Sequence, residues 1–224
     1  MDEIEKIKQR YESRKVDGAV IKNSANTLFS KYVTEEREKL YASILKFHFK
    51  TVESVNLLEI GAGGGANLSF FNSLGINLSN IYANELLESR VKELIRNFPT
   101  INHFPGDALA INSNTQFDVV FQSTVFTSIL DGDFKQKLAS KIFDLTKIGG
   151  IVLWYDFIYD NPNNKDVKGV TKKEVRAIFP DAKKITFRRV TVAPPIGRRI
   201  GRLYGLFNFL FPFLRTHIIA VIEK

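Results

Sequence analysis

The stretch "NLLEIGAGGGAN" at residues 56–67 holds four of the chain's 14 glycines, directly behind an apolar run. An apolar run that breaks into glycines is how a buried strand opens into a loop whose bare backbone must approach a ligand or a neighbouring helix. Gly61, Gly63 and Ala66 satisfy the G-x-G-x-x-G/A dinucleotide fingerprint. The segment therefore predicts a strand–loop–helix unit and directs the rest of the chain toward an α/β fold.

The remaining pattern agrees. Helices are expected over 2–15 and 34–49, the second opening at Thr34 with an imperfect capping box that has Arg37 where Glu is usual. Strands are expected over 54–60, 80–84, 101–104, 117–121 and 151–157, with late strands over 184–192 and 216–223. Between them, helical patterns cover 66–74, 86–97, 133–147 and 171–179, the third of these closed by Gly149-Gly150. Strands alternating with helices make βαβ units, hence a Rossmann-like, doubly wound, mostly parallel sheet of about seven strands. No internal repeat or domain boundary interrupts 1–224; residues 1–52 read as an N-terminal helical cap, and 193–215 as an insertion between the last two strands.

Composition narrows the class. A chain of 224 residues with 44% hydrophobic content can bury one substantial core. Without cysteine it has no disulfide, thiol nucleophile or zinc–thiolate site, which suits a reducing compartment. The N-terminal "MDEIEKIKQR" lacks the apolar segment of a secretory signal. The longest apolar stretch, 204–214, falls well short of the roughly 20 residues of a spanning helix. A cytoplasmic protein is the expectation, peripheral at most to the inner face of a membrane. Charge is uneven: residues 165–224 carry 14 Lys/Arg against 4 Asp/Glu, a net of +10 that leaves −2 for the remainder. Such a basic quarter suits an anionic neighbour, or is simply a solvated face.

Three carboxylates decide between ligands for the glycine loop. Glu59, two positions before Gly61, would repel a pyrophosphate resting on that loop. It suits instead a cationic group such as the α-ammonium of an amino acid. Glu85, at the end of the second strand, can accept both hydroxyls of a ribose, although a dinucleotide enzyme would also carry an acid there. Asp107, in "PGDAL", can accept from an adenine amine. The three sit one βα unit apart, at the carboxyl ends of consecutive strands where open α/β sheets bind ligands. A ligand that is amino acid at one end and nucleoside at the other is S-adenosylmethionine.

With those residues in place the sequence resembles the class I S-adenosylmethionine-dependent methyltransferases over nearly its whole length. The parts are "EIGAGGG" (59–65), "ANE" (83–85), "GDA" (106–108), "FDVV" (117–120) and "GGIVL" (149–153). The resemblance implies an antiparallel last strand inserted in the sheet, and Gly61, Gly63 and Gly65 at the methionine part. It also implies Leu86 over adenine or ribose, the Ala108 amide at adenine, and Gln122 at the sulfonium. The tail motifs "WYDF", "NP", "VKG", "IFP", "TVAPP" and "LRTH" resemble a group of largely uncharacterised bacterial methyltransferases, some associated with cell-envelope saccharide assembly.

The acceptor is less constrained. "VVFQSTVFTSILD" (119–131) lacks the proline-containing loop that grips exocyclic amines in base and glutamine methylases. The fourth strand ends in Gln122 and Ser123 rather than acids, so no metal is expected. Candidates for a base or orienting group are Asp156, at the end of the fifth strand, and His217, at the start of the last. Tyr11, with Arg14, is expected to close over the site from the N-terminal helix. A hydroxyl of a small molecule or saccharide, anionic or lipid-linked, is the leading acceptor; RNA, protein and quinone or lipid acceptors are alternatives. In the insertion, Arg198, Arg199 and Arg202 precede Leu203, Leu206, Phe207, Leu210 and Phe211 at helical spacing. They make a packed lid, a membrane-surface contact through 198–214, or a dimer contact.

Overall fold

The computed structural model describes residues 2–16 and 28–224. Helices α1 (Glu3–Val16) and α2 (Leu28–His48) precede the alternating part. That part comprises β1 (Leu57–Ile60), α3 (Ala66–Ser73), β2 (Ile81–Glu85), α4 (Glu88–Asn97), β3 (Asn102–Pro105) and β4 (Phe117–Ser123). It continues with α5 (Gly132–Leu145), β5 (Thr146–Phe157), α6 (Lys172–Ile178) and β6 (Lys184–Val192). After α7 (Pro194–Ile200) and α8 (Tyr204–Leu210), β7 (Arg215–Glu223) closes the chain.

The seven strands lie in the order β3-β2-β1-β4-β5-β7-β6. All run parallel from β3 to β5, and β7 inserts antiparallel between β5 and β6. Alternate strand residues supply two cores, because side chains along a strand point to opposite faces. Leu57, Phe121, Leu153 and Tyr155 pack with Tyr41 and Leu45 of α2 and Phe71 of α3. Leu58, Val120, Val152 and Trp154 pack with Ile7 of α1, Leu138 and Ile142 of α5 and Val175 of α6. Helices thus cover both faces and leave the carboxyl ends of the parallel strands as the place for a site.

Two expected boundaries fail for physical reasons. Helix α2 starts at Leu28, not Thr34, because Phe29, Tyr32 and Val33 continue it to pack on Val192, Ile196 and Tyr204. No local cap signal records that contact. Gly149-Gly150 does not close α5. The helix ends at Leu145, where the Thr146 hydroxyl donates back to the Ile142 carbonyl (2.8 Å), and both glycines lie within β5.

Candidate active site

The loop after β1 turns back on itself through glycine conformations. Gly61 (φ 69°) and Gly65 (φ 90°) occupy the left-handed region, and a Cβ at either would collide, with Val125 and Phe98 respectively. Gly65 is also the N-cap of α3. The Ala62 amide donates to the Asn84 carbonyl (2.8 Å), and the Gly63 amide donates to Glu85 Oε2 (2.8 Å). Glu85 Oε1 accepts from the Leu87 amide (2.8 Å), so one carboxylate ties the glycine loop to the turn into α4. Asn84 Nδ2 donates to the carbonyls of Phe104 and Gly106, joining the third strand end to the same frame. Asp107 accepts from the Leu109 amide (2.9 Å) and caps a short helical turn over 108–110.

These ends border a cleft whose walls include Gly61, Glu85, Leu86, Asp107, Ala108 and Val125. Helix α1 lies across it, contributing Ile4, Ile7 and Tyr11. The helix is latched in place: Arg10 donates to Glu3 (2.7 Å) and to the Ser128 carbonyl (3.0 Å), while Glu3 accepts from the Leu130 amide (3.0 Å). Tyr11 Oη and Ser128 Oγ are 3.1 Å apart, and the Arg90 guanidinium lies 4.7 Å from the Tyr11 ring centroid. Arg14's side chain lies outside the described residues. Thr124, on the cleft wall, holds φ 59°, a conformation costly for a β-branched residue and found where a surrounding frame fixes a functional loop.

Glu59 sits behind the loop, buried. Its Oε1 accepts from Asn67 Nδ2 (2.7 Å), whereas Oε2 is buried with no partner. Burial pushes its carboxyl up to about 8, against the opposing Asn67 hydrogen bond. A buried acceptor without a donor is rare enough to ask what completes it. Arg37 Nε and Tyr41 Oη, both on α2, are likewise buried and unpartnered.

The two expected base candidates stand away from the cleft. Asp156 is fully buried, its oxygens accepting from Gln122 Nε2 (2.9 Å) and Thr127 Oγ1 (2.8 Å). Burial raises it to about 7. Gln122 is fully buried too, and its Oε1 accepts from the Val125 amide (3.0 Å). The pair thereby sets the loop 123–128 that walls the cleft. His217 stacks on Tyr155 (5.3 Å between centroids, 14°), shares a hydrogen bond with the Thr216 hydroxyl, and is pushed down to about 4 by burial and then by Arg37. Gly63 and Gly65 shape the loop without lining the cleft. Arg90, Thr124, Val125 and Ser128 line it and were not expected from the sequence. Arg90 had a signal in its place on the first turn after the acid-bearing strand; the others had none. Among the described residues, no three His, Asp or Glu side chains converge as a metal site.

No protein-family model matches the chain, and no curated protein does. Solved structures do. Magnesium protoporphyrin IX methyltransferase from Synechocystis, crystallised with S-adenosylmethionine, superposes with a TM-score of 0.68 over 100% of this chain and 98% of its own, at 11% identity. The fold is that of the class I methyltransferases. A methyltransferase from Archaeoglobus fulgidus adds a second match, at TM-score 0.57, 17% identity, 87% of this chain and 99% of its own. A glycopeptide N-methyltransferase gives a third, at TM-score 0.55, 15% identity, 84% of this chain and 90% of its own. In this chain the carboxyl ends of β1, β2 and β4 frame the cleft, with the reversal of strand order at β1/β4 beside it.

Proposed function

We propose that this chain is an S-adenosylmethionine-dependent methyltransferase acting without a metal on a hydroxyl of a small molecule or cell-envelope saccharide. The observation that carries the reading is the unpaired, buried Glu59 Oε2 behind the glycine loop. A cation would complete it by favouring the charged carboxylate that burial otherwise disfavours, whereas a phosphate would disfavour it further. Glu85 and Asp107 at the next strand ends fit a ribose and an adenine, and Leu86 and Ala108 supply apolar and backbone contact beside them.

When bound, the cofactor supplies an electrophilic methyl on a sulfonium. The protein's own share is then mostly placement, since aligned reactants gain several powers of ten from proximity alone. Asp156 acts by positioning: it holds Gln122, which holds Val125 and the cleft wall. The Tyr11 and Ser128 hydroxyls, 3.1 Å apart on the cleft wall, orient the acceptor oxygen. The latched α1 excludes water from above. The saccharide assignment rests on the tail motifs, and an anionic acceptor suits the basic C-terminal quarter.

Incubation with methyl-labelled cofactor and separate pools of saccharide, lipid-linked saccharide, RNA and protein tests this. Label in a saccharide pool, alkali-stable as an ether, is expected. Label confined to RNA or protein would replace the acceptor assignment, and label in no pool together with no cofactor binding would end the enzyme reading.

A further inference from the structure

In the segment between β6 and β7, two polar side chains of α8 face inward: Tyr204, buried, donates to Glu36 Oε2 (2.8 Å), and Asn208 Nδ2 donates to Glu36 Oε1 (2.7 Å). Asn208 Oδ1 in turn accepts from Arg215 Nε (2.8 Å), and Tyr32 stacks on Tyr204 (5.7 Å, 7°). With the inner face held this way, the apolar residues turn out. Leu203, Leu206, Phe209, Leu210 and Phe213 are 53–79% exposed. They recur at i, i+3, i+6, i+7 and i+10, one continuous face along α8 and the helical turns that flank it. Elsewhere Phe47 and Ile148 are exposed as single residues, which is ordinary. A cluster of this size on one short segment is not.

Charge says what covers it. Arg198, Arg199 and Arg202 are exposed immediately before the apolar face, with Arg188 and Arg189 exposed on β6. No Asp or Glu occurs between Asp181 and Glu223. A second copy meeting this face across a two-fold axis would bring the arginines of one protomer toward those of the other. An anionic bilayer surface instead neutralises the arginines and takes the leucines and phenylalanines into its acyl boundary. We infer that residues 198–213 are a membrane-docking surface for anionic lipid. Register fixes which end of the protein it presents. Val192 pairs with Arg215, and Phe157 with His217, so the segment projects from the end of the sheet that holds the carboxyl ends of β1, β2 and β4. Docking would bring the cleft end toward the lipid, within reach of a lipid-held acceptor. The surface is read from exposure and charge alone and does not depend on what the cleft binds.

Flotation of the full chain with phosphatidylcholine vesicles, and with vesicles of equal parts phosphatidylcholine and phosphatidylglycerol, tests it. The protein should float with the anionic vesicles and not the neutral ones. It should be released as salt rises to about 1 M, where screening shortens the electrostatic reach to about 3 Å. Changing Arg198, Arg199 and Arg202 together to Gln should weaken partitioning on the order of 100-fold, about fivefold for each charge. Phe209→Ser with Phe213→Ser should abolish flotation even at low salt. Both variants should keep the wild-type melting temperature and its response to S-adenosylhomocysteine, which separates loss of docking from loss of the cofactor site. Absence of flotation by wild type overturns the inference, as does flotation that survives the phenylalanine pair. A concentration-dependent dimer abolished by that pair, without vesicle binding, assigns the face to a second copy instead.

Discussion

Two regions of one polypeptide solve opposite problems. At the glycine loop the protein keeps polar atoms inside and unpaired: Glu59 Oε2, with Arg37 Nε and Tyr41 Oη nearby on α2, has no partner although buried. At α8 it keeps large apolar side chains outside and uncovered, while Tyr204 and Asn208 spend their hydrogen bonds inward on Glu36. Each arrangement is unfavourable for the isolated fold, and each is removed by a partner of the right chemistry. The difference is that the first depends on backbone geometry and the second does not. Substitutions should therefore damage folding at the loop and leave it untouched at α8.

The sharpest contrast comes from Gly65→Val. Its φ of 90° and the adjacent Phe98 ring leave no room for a branched side chain. Left-handed strain and overpacking together should cost about 3 kcal/mol, read as a lowered urea midpoint. An unchanged midpoint would show that the loop tolerates rebuilding and is no rigid cradle. Next in size is Glu85→Ala, which removes an acceptor shared by the Gly63 and Leu87 amides as well as the proposed ribose partner. Cofactor binding should weaken by about 2 kcal/mol in calorimetry.

Glu59 gives a pH signature. Burial raises it from 4.5 to about 8, and Asp156 from 3.8 to about 7. The folded protein thus keeps protons that the unfolded chain releases near pH 4. The contribution of these two groups to stability without ligand is fully present below that pH, falls as pH rises toward about 8, and levels off beyond, each changing it by at most about 1.4 kcal/mol per pH unit. His217, lowered from 6.5 to about 4, opposes this slope below about pH 6.5. Glu59→Gln should flatten part of this slope in melts followed from pH 4 to pH 8. If the cofactor ammonium meets Glu59, binding near pH 7 should also release a proton, visible as a binding enthalpy that changes with buffer; the Gln variant should lose that dependence. The smallest effect belongs to the other region: Leu206→Ser should change stability by no more than about 0.5 kcal/mol, since the side chain is half exposed. A loss several times larger would mean that α8 packs against the protein as a lid.

The same contrast separates what could be read from sequence. The first two strands were legible because each is a mostly buried run ending at a glycine or an acid. β4 and the second half of β5 were legible because they are apolar runs, and the three carboxylates followed at βα spacing. The start of α2 was not, because Phe29 and Tyr32 extend it through contacts with residues more than 150 positions away. Helical spacing grouped Phe207 and Phe211 with Leu203, Leu206 and Leu210, whereas the exposed face takes in Phe209 and Phe213 and leaves Phe207 and Phe211 half-buried. The Glu36 hydrogen bonds to Tyr204 and Asn208, long-range and polar, set that rotation. Asp156 stands at a strand end, as expected, but its enclosure by Gln122 and Thr127 is a pairing of side chains that no local pattern records.

The central claim, that the Glu59-backed glycine loop holds an amino acid–nucleoside ligand, is tested most directly by calorimetric titration with S-adenosylhomocysteine and, separately, with NAD. S-adenosylhomocysteine should bind one to one and, at one hundred times its dissociation constant, stabilise the fold by about 2.7 kcal/mol. NAD should give no heat and no stabilisation. Binding of NAD with none of S-adenosylhomocysteine would contradict the account and return the loop to the dinucleotide fingerprint that it also satisfies.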